Sequence, residues 1–275
     1  MNRSPILVIG STGKIGRRVV QRLSEGGHAV RNGSRQSDPP FDWEDRATWA
    51  PALQSVGSAY VSYYPDLAAP GAVDAVGSFA ELAVENDVSR LVLLAGRGEA
   101  EAELAEEAVR ESGAELTIVR ATWFSQNFSE GSFLDSVLSG EVVLPAGDIA
   151  EPFVDADDIA DVAVAALTDD RHIGELYELT GPRLLTFAEA VAEIAKATAR
   201  EIRYVPVAVD EFAAAMATQV PGEVIELLTY LFSEVLDGRN AHTTDGVQRA
   251  VGREPRDFAD YAREAAASGV WAGVA

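Results

Sequence analysis

The sequence predicts an α/β fold, a doubly wound parallel sheet followed by a smaller, mostly helical C-terminal lobe. Three observations carry that prediction. Apolar runs of strand length alternate with amphipathic helical stretches through the first half of the 275 residues, the pattern of successive βαβ units. The first unit contains a glycine-punctuated turn, Pro5-Ile6-Leu7-Val8-Ile9-Gly10-Ser11-Thr12-Gly13-Lys14-Ile15-Gly16. Past about residue 140 the strands shorten and helices dominate, while 47% hydrophobic content suffices for a large core.

Strands are expected at 5–10, 28–34, 41–43, 58–64, 90–95 and 115–120. Helices fall at 14–26, 47–55, 71–86, 99–112 and 127–139. In the first helix Ile15, Val19, Val20 and Leu23 share one side. The acidic run Glu99 to Glu107 reads as a solvated helix face, with Leu104, Ala108 and Val109 turned inward. In the second half short strands are expected at 142–144, 152–154, 175–180 and 202–206, and helices at 157–168, 186–198, 208–218, 222–236 and 255–268. Asp155, Asp157 and Asp158 invite a catalytic or metal role, but they suit the cap and first turn of helix 157–168 better. Thr186-Phe187-Ala188-Glu189 reads as a capping box. No repeat or low-complexity linker divides the chain. A core of residues 1–140 and a lobe of 141–275 are expected, with segments at about 150–180 returning to the core.

Composition narrows the function classes. The chain has no cysteine, so disulfides, thiolate metal sites and cysteine catalysis are excluded. Its three histidines, His28, His172 and His242, carry no ligand spacing, so no metal is expected. A net charge of −22, from 44 acidic and 22 basic residues, disfavours nucleic acid and anionic membranes as partners. Without a charged leader or a bilayer-length apolar run, a cytoplasmic monomer or homodimer acting on a small molecule is expected.

The glycine turn gives the first chemical indication. A backbone passing from strand to helix can point its N–H groups at a pyrophosphate, provided no Cβ stands at the closest points. Gly10 serves the tight turn, Gly13 the close approach and Gly16 the packing of the first helix on the sheet. Gly10, Ser11, Thr12, Gly13, Lys14, Ile15 and Gly16 therefore form a candidate dinucleotide site. An acidic residue for the adenine ribose of NAD would stand at the end of the second strand, where the chain instead reads Arg31-Asn32-Gly33-Ser34-Arg35. The Arg35 guanidinium, supported by Ser34 and with Arg31 nearby, suits a 2′-phosphate, so NADP(H) is expected over NAD(H).

Those segments, together with Ser112-Gly113-Ala114-Glu115-Leu116-Thr117-Ile118-Val119-Arg120, Trp123-Phe124-Ser125-Gln126-Asn127 and Pro152-Phe153-Val154-Asp155-Ala156-Asp157-Asp158-Ile159-Ala160, resemble the NmrA-like group of atypical short-chain dehydrogenase/reductases. That group includes triphenylmethane-reductase-like and quinone-reductase-like proteins, and the resemblance covers nearly the whole chain. It implies a Rossmann-type core. It also implies that Asp42 and Trp43 border the adenine, that Tyr63, Tyr64 and Pro65 pass the ribose and nicotinamide, and that Ala95, Gly96 and Arg97 close on the nicotinamide. Trp123, Phe124, Asn127, Phe128 and Phe153 become candidate substrate contacts, core packing being the alternative for the aromatic residues.

One feature of the wider superfamily is missing. None of the seven tyrosines is followed four residues later by lysine, so the usual Tyr-x-x-x-Lys proton donor is absent. Ketone reduction needs such an acid. Quinones, triarylmethane cations, azo groups and activated enones accept hydride with less help, and apolar walls would supply positioning. An NADPH-dependent oxidoreductase for an apolar acceptor is thus expected, with Tyr64, Arg97 and Asn127 as candidate donors to a developing oxyanion. The alternatives are a non-catalytic NADP-binding sensor of the NmrA type and, with less support, an isomerase, epimerase or dehydratase.

Overall fold

The computed structural model describes residues 4–217 and 221–272. The first half contains β1 (Ile6–Ile9), α1 (Gly16–Glu25), β2 (Val30–Gly33), α2 (Trp49–Leu53), β3 (Ser58–Val61), α3 (Ala72–Glu85), β4 (Arg90–Gly96), α4 (Ala100–Glu111) and β5 (Glu115–Ala121). Next come α5 (Asn127–Glu130), α6 (Leu134–Ser139), β6 (Glu141–Leu144), β7 (Ala150–Glu151), α7 (Ala156–Thr168) and β8 (Leu176–Leu179). The chain continues through β9 (Leu185–Thr186), α8 (Phe187–Thr198), β10 (Arg203–Pro206), α9 (Val209–Met216), α10 (Gly222–Tyr230), α11 (Gly246–Val251) and α12 (Phe258–Ser268).

Two compact units are built from these elements. The first comprises Met1–Ala121, Ala156–Leu179 and Asp245–Arg253. Its sheet has the order β2-β1-β3-β4-β5-β8, every pair parallel. Leu7, Val8, Leu91, Val92 and Leu93 are fully buried, as neighbouring positions must be when helices cover both faces of a parallel sheet. Val19 and Leu23 bury one stripe of α1, and Phe79 of α3 packs with Phe41 and Trp49. Because β1 lies between β2 and β3, the winding reverses at its carboxyl end, the switch point where such sheets bind ligands.

The second unit comprises Thr122–Asp155, Thr180–Thr244 and Glu254–Ala275. It has two small sheets, parallel β6–β10 and antiparallel β7–β9, around a core that includes Phe128, Phe133, Phe153, Phe187, Phe258 and Trp271. The Thr186–Glu189 capping box forms as read, each side chain satisfying an N–H at the start of α8.

Several sequence expectations need correction. Residues 41–43 do not form a sheet strand; Asp42 makes only an isolated bridge to Asp45, inside a turn closed by Thr48. The expected helix 127–139 breaks into α5 and α6, because Gly131 adopts extended backbone. Of 152–154 only Val154 pairs, with Phe124. Helix 208–218 is resolved as α9, and its last expected residue lies outside the described ones. Helix α11, unexpected from sequence, sits in the first unit, where a Cβ on Gly246 would come 2.1 Å from the Glu178 carbonyl oxygen. The phase of α4 also differs from the sequence reading. Leu104 is 62% exposed, while Glu99 and Glu106 are buried. Arg120 of β5 explains Glu106, holding both carboxylate oxygens at 2.6 Å. A bidentate charged pair outweighs the apolar preference that placed Leu104 inside.

Candidate functional site

At the carboxyl end of β1, Gly10 has φ +70°, a conformation glycine adopts without steric cost. Its N–H donates to the Gly33 carbonyl at 2.9 Å, tying the end of β1 to the end of β2. The Gly13 N–H returns to the Gly10 carbonyl at 2.8 Å, and Gly13 and Thr12 are exposed. A Cβ on Gly16 would stand 2.0 Å from the Gly10 oxygen, so α1 begins pressed on the turn itself. Lys14 is half-buried and Ile15 buried. The Ser11 hydroxyl is buried with no hydrogen-bond partner among the described residues. A left-handed glycine, an exposed turn bearing a second glycine, a helix start and an unsatisfied hydroxyl together fit a dinucleotide pyrophosphate.

The turn after β2 is organised by Ser34, whose carbonyl accepts from the Phe41 N–H at 2.9 Å and from the Ser37 hydroxyl at 2.6 Å. Arg31 does not share the role considered for it. Its guanidinium is held on the carbonyls of Ala52 and Gln54 at the end of α2. Arg35 is exposed and makes no hydrogen bond or ion pair among the described residues. Among the described residues it stands uncommitted at this strand end.

The adenine-side candidates are anchored firmly. Trp43 is half-buried, donates Nε1–H to the Ser62 carbonyl at 3.0 Å and meets Phe41 edge-on at 5.0 Å between centroids. The Asp42 carboxylate accepts from the Glu44 N–H at 3.1 Å, and its carbonyl accepts from Trp49 Nε1 at 2.8 Å. Beyond β3, Tyr63 lies against Trp43, and burial beside Glu44 raises its phenol above the ordinary tyrosine range. Tyr64 is 78% exposed, and Pro65 beside it is also exposed.

At the end of β4, Ala95 is buried and Gly96 half-buried. Arg97 is 4% exposed and pairs through Nε with the Glu178 carboxylate at 3.3 Å; Arg120 reaches the other Glu178 oxygen at 3.6 Å. Arg97 is thus engaged in an ion network. The sequence reading missed Glu99. Its carboxyl occupies the space a Cβ on Gly96 would take, 2.0–2.4 Å from that position, and is 6% exposed. Burial first, then the charge of Asp66 and a hydrogen bond to it, then Glu101, push its pKa up to about 9. The available signal was Gly96 three residues earlier, a glycine at a strand end that leaves room for a folded-back side chain.

The second unit holds the remaining candidates. Phe128 and Phe153 are 0% and 2% exposed and pack on each other and on Phe187 and Phe258. They have no open face for a ligand, so their place is the core. Trp123 is half-buried against Phe187 and Phe232, and Phe124 and Asn127 are half-buried too. The acids near 155 are structural. Asp155 accepts from Gln126 Nε2 at 2.8 Å and pairs with Arg256. In the first unit Asp157 pairs with Arg18 and Arg22, and Asp158 with Arg253. Among the described residues no group of three or more His, Asp or Glu could hold a metal ion. No helix among them is long and apolar enough to cross a membrane.

Comparison with known proteins agrees with this geometry. The NmrA-like family model matches residues 79–262. The chain is 31% identical over 284 aligned residues to the uncharacterized oxidoreductase YesF of Bacillus subtilis, covering 97% of each chain. It is 30% identical to the (4-alkanoyl-5-oxo-2,5-dihydrofuran-3-yl)methyl phosphate reductase of Streptomyces griseus, over 94% of this chain and 97% of that one. The NADPH-dependent quinone oxidoreductase QOR2 of Escherichia coli, solved with NADPH, has the same fold at a TM-score of 0.79 and 19% identity, over 94% of this chain and 99% of the other. With its parallel six-stranded sheet, its glycine turn at the switch point and oxidoreductases among its full-length relatives, the chain belongs to the NmrA-like family.

Proposed function

We propose that this NmrA-like protein is an NADPH-dependent oxidoreductase that reduces a small or medium apolar acceptor such as a quinone, a dye or an activated enone. The observation that carries the reading is the glycine turn at the β1 switch point with the uncommitted Arg35 at the neighbouring strand end. When bound, the cofactor supplies hydride. The backbone of Gly10 to Gly16, with the Ser11 hydroxyl, holds the pyrophosphate. Arg35 and Ser34 hold the 2′-phosphate, a guanidinium fork matching a dianion. Asp42 and Trp43 border the adenine, and Tyr64, Pro65, Ala95 and Gly96 border the ribose and nicotinamide. Within the second unit, Trp123, Phe124 and Asn127 are the candidate contacts for an apolar acceptor, and Phe128 and Phe153 belong to that unit's core. The relatives named as reductases support this, the Streptomyces griseus enzyme in particular, since the dihydrofuran in its name is an activated enone.

The test is steady-state oxidation of NADPH and NADH by wild type and Arg35→Ala with a quinone, a cyclic enone and a cationic triarylmethane dye. Wild type is expected to turn over at least one acceptor with NADPH preferred. Arg35→Ala is expected to raise KM for NADPH about tenfold or more, the loss of one charge-assisted bond, with little effect on NADH. Tight NADPH binding without turnover of any acceptor would overturn the enzymatic reading in favour of the sensor.

A further inference from the structure

We infer that Glu99 is the proton donor of this site, a buried carboxylic acid that protonates the oxygen of the reduced acceptor and is recharged through Asp66. The inference rests on the reductase reading above and supplies what the missing Tyr-x-x-x-Lys pair would have done. Glu99 lies just beyond the carboxyl end of β4, and Asp66 beyond that of β3, the edge of the sheet at which ligands bind.

Ordinary explanations for Glu99 fail one by one. It occupies the N-cap position of α4, yet its side chain makes no capping hydrogen bond. It is no solvated surface acid, at 6% exposure. It forms no ion pair among the described residues; the charged groups acting on it, Asp66 and Glu101, are both acidic. Its carboxyl folds back over Gly96, and its Oε2 is buried without a hydrogen-bond partner among the described residues. Asp66, its acidic neighbour, is half-buried and accepts the Ala68 N–H at 2.9 Å. A carboxyl buried beside a second acid, with no cation paired to it among the described residues, keeps its proton, and the less buried Asp66 is its route to solvent.

An enone takes up both a hydride and a proton. Hydride from the reduced nicotinamide forms a C–H bond at the β-carbon, the C=C electron pair moves into an enolate, and negative charge develops on oxygen. The Glu99 O–H bond breaks as its proton joins that oxygen. The Glu99 carboxylate recovers a proton from water by way of Asp66. The sum is enone, NADPH and one proton giving the saturated ketone, after tautomerisation of the enol, and NADP⁺. A triarylmethane cation differs, because hydride alone gives its neutral product.

That difference supplies the experiment. Glu99→Gln is expected to lower kcat with a cyclic enone about 10²-fold or more, the usual loss on removing a general acid. The drop with the cationic dye is expected to stay within a few-fold, and KM for NADPH to stay unchanged. Asp66→Asn, which removes the neighbouring negative charge, should move the alkaline limb of the enone pH profile to lower pH. Independently of turnover, infrared difference spectra between wild type and Glu99→Gln at neutral pH should show a protonated-carboxyl carbonyl band. Equal losses with both acceptors, no loss with either, or absence of the band would overturn the assignment while leaving the reductase reading intact. A wild type that binds NADPH but reduces neither acceptor would remove that reading and the proton donor with it.

Discussion

Gly16→Ala is expected to lower the unfolding free energy by about 3 kcal/mol and to abolish NADPH binding. The new Cβ would stand 2.0 Å from the oxygen and 2.6 Å from the carbonyl carbon of Gly10, and 3.1 Å from the Ser11 Cα. All three are backbone atoms, so no flexible side chain can yield, and either α1 or the end of β1 must move. Both movements distort the turn proposed to hold the pyrophosphate. Gly13→Ala provides the contrast. Its Cβ would meet only the Gly10 oxygen, at 3.1 Å, on an exposed turn. Stability should fall by less than about 1 kcal/mol while NADPH affinity still falls, because the added methyl stands where phosphate approaches. Urea unfolding together with a fluorescence titration of NADPH reads both effects. Equal stability of Gly16→Ala and wild type would show that the contact is not rigid.

The second large effect is a stability difference that depends on pH. Glu99 is neutral in the folded protein up to about pH 9, whereas in the unfolded chain it ionises near its ordinary value of 4.5. Between those values the folded state holds the extra proton, so stability falls as pH rises, at roughly 1.4 kcal/mol per unit for a single group. Below the unfolded value both states are protonated and the effect vanishes. Glu99→Gln keeps a neutral donor able to bond Asp66 and removes the titration. It should match wild type near pH 4.5 and exceed it by a few kcal/mol at pH 8. Denaturant unfolding of both proteins across this range checks the prediction. Parallel curves would mean that the carboxyl is not held neutral.

The central sheet was readable because its signal is local: buried β-branched runs, a glycine turn and amphipathic helices repeat at short spacing. What escaped depends on partners distant in sequence. Glu106 turns inward because Arg120 meets it from the adjacent strand, which no pattern within Glu99 to Glu107 reveals. Helix α11 joins the first unit through the glycine contact at Glu178, a residue 68 positions before Gly246 in the sequence. The same holds for chemistry. Gly10, Gly13 and Gly16 point to a dinucleotide turn by their spacing, and Arg35 to a 2′-phosphate by standing where an acid would mark NAD, both still proposals. Glu99 is hidden among five other glutamates between residues 99 and 111, distinguished only by the space that Gly96 leaves and by Asp66 from another loop. The aromatic residues after β5 were ambiguous for a related reason, since Phe128 and Phe153 satisfy a pocket and a core equally until their burial is seen.

Hydride transfer itself is the most direct measurement. NADPH deuterated at both nicotinamide C4 positions, incubated with the protein and a cationic triarylmethane dye, should yield a leuco product carrying deuterium on its central carbon, where it cannot exchange with water. That label is expected in the product at a rate at least about tenfold above that with deuterated NADH. NADPH that binds while the dye acquires no deuterium would contradict it.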